Sequence, residues 1–164
     1  MIIALTDYFD GSISLNNIYF ALMAFLIVIG LFLTYGLHYD SIIDRERKTN
    51  GLEYLFIHML FIFALNCVTC SLEFMHEEEV RLIPKMVFLI CSLLCCHGFL
   101  FLTEKYAETP YRRIMAVRFP AAAVIFAVLM FLLKDHMHLN IAVTVLYVFA
   151  IWFILYRNLD RWGE

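Results

Sequence analysis

Long apolar runs separated by short polar clusters make up almost the whole of this chain. The first run extends from about Ile13 to Leu37, with Leu15, Asn16 and Asn17 at its outer edge. The polar cluster Asp40 to Asn50 follows it and contains the string DRERK. A second run covers about Leu52 to Leu72 and a third about Leu82 to Leu102. Between them lies the acidic turn EFMHEEEVR, Glu73 to Arg81. After the connection TEKYAETPYRRIMAVR, Thr103 to Arg118, a fourth run covers Phe119 to Leu133. Counted from Ile114 this run is longer, with Arg118 snorkelling to the headgroups. The turn KDHMH, Lys134 to His138, precedes the last run, Leu139 to Tyr156, and the tail RNLDRWGE. About 20 helical residues cross the roughly 30 Å of bilayer hydrocarbon, so the runs predict transmembrane helices. Pro84 suits the first turn of the third helix, where a missing N–H costs nothing.

The distribution of basic residues supports five spans. Arg45, Arg47, Lys48, Lys105, Arg112, Arg113, Arg118, Arg157 and Arg161 all follow the first, third or fifth run. Only Arg81, Lys85 and Lys134 of the twelve Lys and Arg residues fall on the other side. Lys and Arg accumulate in cytoplasmic loops, which predicts the N-terminus outside and the C-terminus inside. A four-span alternative makes the fourth run re-entrant and puts Arg157 and Arg161 outside. Tyr156 and Trp162 suit the membrane interface at the cytoplasmic end.

Composition agrees with this picture. Hydrophobic residues make up 63% of the 164 and charged residues 16%, a balance that leaves a soluble domain unable to cover its apolar surface. The N-terminal MIIALTDYFDGS has no basic n-region, so the first run is expected to be an uncleaved span. The longest connection, Thr103 to Arg118, is too short for a core of its own, so residues 1–164 form one helical membrane domain. The basic residues are dispersed among loops, which argues against nucleic-acid binding.

Candidate chemistry falls into separate groups. His58 and His97 lie inside the second and third spans, each a few residues from the cytoplasmic end, and are expected at nearly one depth. Two facing imidazoles could ligate a b-type haem, bind a divalent metal or relay protons. The plainer reading, favoured here, is that each makes an interhelical hydrogen bond. On the external side, Glu73 and His76 stand one turn apart, and Asp135, His136 and His138 sit on the other turn; together they could hold a divalent metal. Solvated charge is the plainer reading there too. In an oligomer, Glu77, Glu78 and Glu79 could form a carboxylate ring at an ion pathway. On the internal side, Arg45, Arg47, Lys48, Arg112, Arg113 and Arg118 suit anionic lipid or an acidic protein partner.

The five cysteines all lie inside apolar runs, so no disulfide framework is expected. The spacing of Cys67 and Cys70 resembles that of membrane thiol oxidoreductases of the vitamin K epoxide reductase class. The external-loop cysteine pair that such a resemblance implies is missing here, and buried cysteines most often pack as small apolar groups. Gly30 and Gly36 do not make a GxxxG motif. Ala21 with Ala24, and Ala121 to Ala123, are the small-residue surfaces expected to carry helix packing. No GxSxG, Walker-type loop or HExxH occurs.

The expectation is therefore an all-α polytopic bundle in a cell membrane, with a bacterial inner membrane the expected one. Its function is read as non-enzymatic: a small homo-oligomeric sensor, channel-like or anchoring subunit that meets a cytoplasmic partner through its basic loops. The membrane component of a bacterial two-component system would fit. The alternative is a haem- or metal-binding redox subunit built on His58 and His97.

Overall fold

The computed structural model describes residues 15–39, 51–76, 81–106 and 112–160. Among the described residues five α-helices follow one another: α1 (Leu15–Leu37), α2 (Gly51–His76), α3 (Leu82–Leu102), α4 (Arg112–Leu132) and α5 (Met137–Asp160). A 3₁₀ turn, Thr103–Tyr106, ends α3. Helices are what the sequence must form in hydrocarbon, because no water is present to satisfy an exposed N–H or C=O. Four of the five are long and apolar enough to cross a membrane, whereas the apolar part of α4, Val117–Leu132, is shorter. The chain is a multi-pass helical membrane protein.

Three of the helices, α2, α4 and α5, are longer than their apolar runs. α2 continues through Glu73 to His76, since nothing between Ser71 and His76 breaks a helix. α4 begins at Arg112, so the longer form of the fourth run is the one adopted, with exposed Arg118 and Pro120 inside the helix. In α3, Pro84 lies in the first turn after Arg81, at a position whose N–H has no intrahelical acceptor.

Contacts between helix ends fix the direction of every helix. The Tyr19 hydroxyl donates to the His138 carbonyl at 3.0 Å, so α1 and α5 start at the same end. His38, just past α1, pairs with Thr103, just past α3, so those helices finish together at the other end. Phe74 meets Phe88, and Tyr54 meets Tyr106, which makes α2 antiparallel to α3. α4 passes from His97 on Phe119 to Thr144 beside Met130. It therefore runs from the end where α3 finishes to the end where α5 starts. A re-entrant fourth helix would have left α5 antiparallel to α1.

α2 packs chiefly on α3, α1 on α5, and α4 on α5 and α3. The core is Ile27 and Leu31 of α1, Ala64 and Val68 of α2, Leu89 and Leu93 of α3, Phe126 and Met130 of α4, and Val148 and Ile151 of α5. Phe25, Phe32, Phe56, Phe63, Val124 and Phe153 are exposed on the outside. That distribution is costly in water and favourable in lipid. Close approach of α1 to α5 depends on Gly30: a Cβ there would lie 2.5 Å from Val148 Cγ1 and 3.4 Å from Phe149 Cε2. The alanines named above contribute less directly: Ala24 and Ala122 pack against the core, while Ala121 is exposed.

Candidate functional site

Two polar layers cross the bundle. The first lies at the end where α1 and α3 finish and α2 begins. His38 Nε2 meets Thr103 Oγ1, whose own proton goes to the Leu100 carbonyl at 2.6 Å. The threonine oxygen therefore accepts and His38 Nε2–H donates. One turn deeper, the Tyr35 hydroxyl is hydrogen-bonded to His58 Nδ1 at 3.2 Å and its ring stacks on Phe61. The Tyr106 hydroxyl donates to Glu53 at 3.2 Å, with Tyr54 edge-on to its ring. These bonds join α1, α2 and α3 side chain to side chain. Burial holds the His38 imidazole well below its ordinary value of 6.5, at about 4, so it is neutral at physiological pH.

The second layer lies inside α3, α4 and α5. His97 is 2% exposed, and its Nδ1 donates to the Leu93 carbonyl at 2.8 Å. That bond fixes the tautomer and leaves Nε2 as an acceptor with no partner among the described residues. The ring is edge-on to Tyr147 at 5.5 Å between centroids and tilted against Phe119 at 5.8 Å. The Tyr147 hydroxyl is also buried without a partner, while its ring stacks on Phe126 at 4.3 Å. On the same face of α5, at helical spacing, lie Thr144 and Asn140, both fully buried. Thr144 Oγ1 donates to the Asn140 carbonyl at 2.8 Å. Asn140 Nδ2 donates to the Leu133 carbonyl at 3.1 Å, closing the end of α4, while its Oδ1 has no partner. Chemically the His97–Tyr147 couple offers a hydroxyl and one acceptor facing a low-dielectric interior, a pair suited to a small polar hydrogen-bonding group. Asn140, by contrast, lies about 10 Å further along α5, beside Met86 and Leu133.

The structure does not bring His58 and His97 together. The register set by Phe74–Phe88 and Tyr54–Tyr106 places His58 level with Thr103. His97 is then about six residues, or roughly 9 Å, deeper along the axis. The two imidazoles belong to different layers and have different partners, so the expectation of one depth fails. The cause is that α2 starts beyond the level at which α3 ends. Axial ligands of one haem would have to face each other across the iron. Among the described residues no three His, Cys, Asp or Glu side chains converge as a metal site.

At the end expected to be external, Glu73 in α2 and Asp135, His136 and His138 around the α4–α5 turn are all exposed. His138 packs edge-on against Tyr19 at 5.4 Å, which ties the turn to the start of α1. Glu77, Glu78 and Glu79, together with Arg45, Arg47 and Lys48, lie outside the described residues, as do the side chains of His76, Arg112 and Arg113. Arg118 is exposed near the start of α4. All five cysteines are free thiols; Cys96 is buried, Cys67 half-buried, and Cys70, Cys91 and Cys95 face outward. An apolar groove of about 360 Å³ on α4, lined by Val124, Ala127, Val128, Phe131 and Leu132, faces outward as well.

Comparison with known protein families, with curated proteins and with solved structures found no match to this chain. The reading of the site therefore rests on its own geometry. Sequence reasoning found His97 and His58 but missed His38, Thr103, Asn140, Thr144 and Tyr147. A signal for three of them was present: Asn140, Thr144 and Tyr147 recur at i, i+4 and i+7 in an otherwise apolar run, which is one helix face. His38 was hidden by its place at the edge of a polar cluster.

Proposed function

We propose that this protein is a non-enzymatic sensor subunit of a bacterial inner membrane, working as a small homo-oligomer with a cytoplasmic partner. The observation that supports this reading is the couple of His97 and Tyr147, whose Nε2 and hydroxyl are buried and unpartnered within α3, α4 and α5. Polar groups inside a membrane bundle are costly to keep and mark working sites by default. The couple is closed rather than open, since His97 and Tyr147 are 2% and 5% exposed, which favours a sensor over a conducting pore. Its output would be the basic end, where Arg112, Arg113 and Arg118 begin α4, the helix whose Phe119 lies against His97. A small polar donor held by His97 and Tyr147 would thus act on the helix that carries the arginines.

Photo-crosslinking in intact cells from a residue neighbouring Arg118 tests both halves. A cytoplasmic protein is expected in the crosslinked product. Replacing Arg112, Arg113 and Arg118 with Gln should abolish it, and His97→Phe should change its yield. Crosslinks confined to lipid, or a protein crosslink indifferent to both changes, would refute the reading.

A further inference from the structure

The outer face of α2 carries a polar group where the bilayer offers it nothing. At about 100° per residue, Met59, Phe63, Asn66 and Cys70 fall on one stripe, opposite the buried Ala64, Val68 and Met75. Asn66 is exposed at the centre of that stripe, within about 4 Å of the midpoint of the 26-residue helix along its axis. Its Nδ2 donates back to the Ile62 carbonyl at 3.0 Å. That bond uses one of the amide's donors and leaves its second N–H and its carbonyl oxygen on a side chain exposed on the outside of the bundle. Asn66 is therefore turned outward at mid-membrane, where lipid tails supply neither a donor nor an acceptor.

We infer that α2 is the contact surface for a second copy of this chain, with Asn66 paired to Asn66 across a two-fold axis along the membrane normal. The proposal rests on the homo-oligomeric part of the function above and specifies its interface. A second copy is the occupant the chemistry selects. A primary amide carries both a donor and an acceptor, so two identical amides satisfy each other reciprocally. All copies share one orientation in the bilayer because the same loop charges direct each of them. A two-fold axis along the normal then brings equal residues to equal depth, which is the self-complementary arrangement such an interface requires. Amides of this kind hydrogen-bond between helices in membranes, and Met59 and Phe63 supply the adaptable apolar contact beside them. Cys70, one turn further toward the α3 end of the hairpin, would face its own copy.

The test uses the full chain in lipid nanodiscs and in native membranes. Single-molecule photobleaching should report dimers for the natural chain. Asn66→Leu should weaken association about tenfold or more, and Asn66→Gln, which keeps the amide, should largely preserve it. Since Asn66 bonds only within its own helix, the leucine variant should fold, and a helical circular-dichroism spectrum with unchanged thermal unfolding verifies that. In a chain keeping Cys70 as its sole cysteine, copper-phenanthroline oxidation should yield a covalent dimer that Asn66→Leu suppresses. Dimers that ignore Asn66→Leu would overturn this interface and leave the oligomeric reading intact. A natural chain that is monomeric at every protein-to-lipid ratio would overturn both.

Discussion

Each buried histidine in this bundle is defined by which ring nitrogen its neighbours have already engaged. His97 gives Nδ1–H to its own helix and keeps a bare Nε2, whereas His38 gives Nε2–H to Thr103 on another helix. The first arrangement leaves a site and the second makes a clasp. The clasp carries a pH dependence whose sign follows from burial. His38 titrates near 6.5 when unfolded and at about 4 when folded, so below 6.5 the unfolded chain binds a proton first. Its contribution to stability is full above about pH 6.5 and is lost as pH falls through about 4. The thermal unfolding midpoint in nanodiscs should accordingly fall over that window. His38→Gln, whose amide can still donate to Thr103, should remove part of the slope; identical slopes in both chains would contradict the assignment.

At the scale of the helix, α1 depends on a single small residue. Thr34 Oγ1 donates to the Gly30 carbonyl at 2.8 Å, and the Gly30 Cα face lies against Val148 and Phe149 of α5. The sequence showed the glycine but not its neighbour, and the alanine runs drew attention away from it. Gly36, two turns on, has open space at the same atom and would accept a methyl group. Gly30→Val should therefore destabilise the bundle by roughly 1–3 kcal/mol through overpacking, while Gly36→Ala should be nearly neutral. Equilibrium unfolding of the two variants in mixed detergent provides the comparison. Equal stabilities would mean that α1 and α5 do not approach as closely as Gly30 allows.

For the whole molecule the decisive relation is that α1, α3 and α5 run one way and α2 and α4 the other. That relation follows from Tyr19 on His138 and His38 on Thr103, two contacts at opposite ends of the bundle. It has α4 run from the end where α3 finishes to the end where α5 starts, although its apolar part, Val117–Leu132, is shorter than the other four spans. Arg47→Cys and Asp135→Cys should consequently label from opposite faces of the membrane with an impermeant maleimide, Asp135→Cys from outside intact cells and Arg47→Cys only after permeabilisation. Labelling of both from one side would mean that an odd number of crossings does not separate those positions.

The sequence by itself determined the class, an all-helical bundle with four to five helices long enough to span a membrane, and it carries the loop-charge pattern from which an orientation is expected. Those properties are set by terms that act on each segment separately: transfer of apolar side chains into hydrocarbon, satisfaction of the backbone within a helix, and the retention of Lys and Arg on one face. Even the polar stripe of Asn140, Thr144 and Tyr147 was legible, because helical spacing alone puts them on one face. Tertiary structure alone decided what each of those groups meets. His58 and His97 occupy different layers because of the offset between α2 and α3, and an axial offset between apolar helices leaves no mark in composition or period. Gly30 matters because of Val148, more than a hundred residues away, and Asn66 because its face is the one α3 does not cover. Segment-by-segment energies fix the helices, but their relative rotation and shift depend on packing between distant residues, which only the folded chain brings into contact.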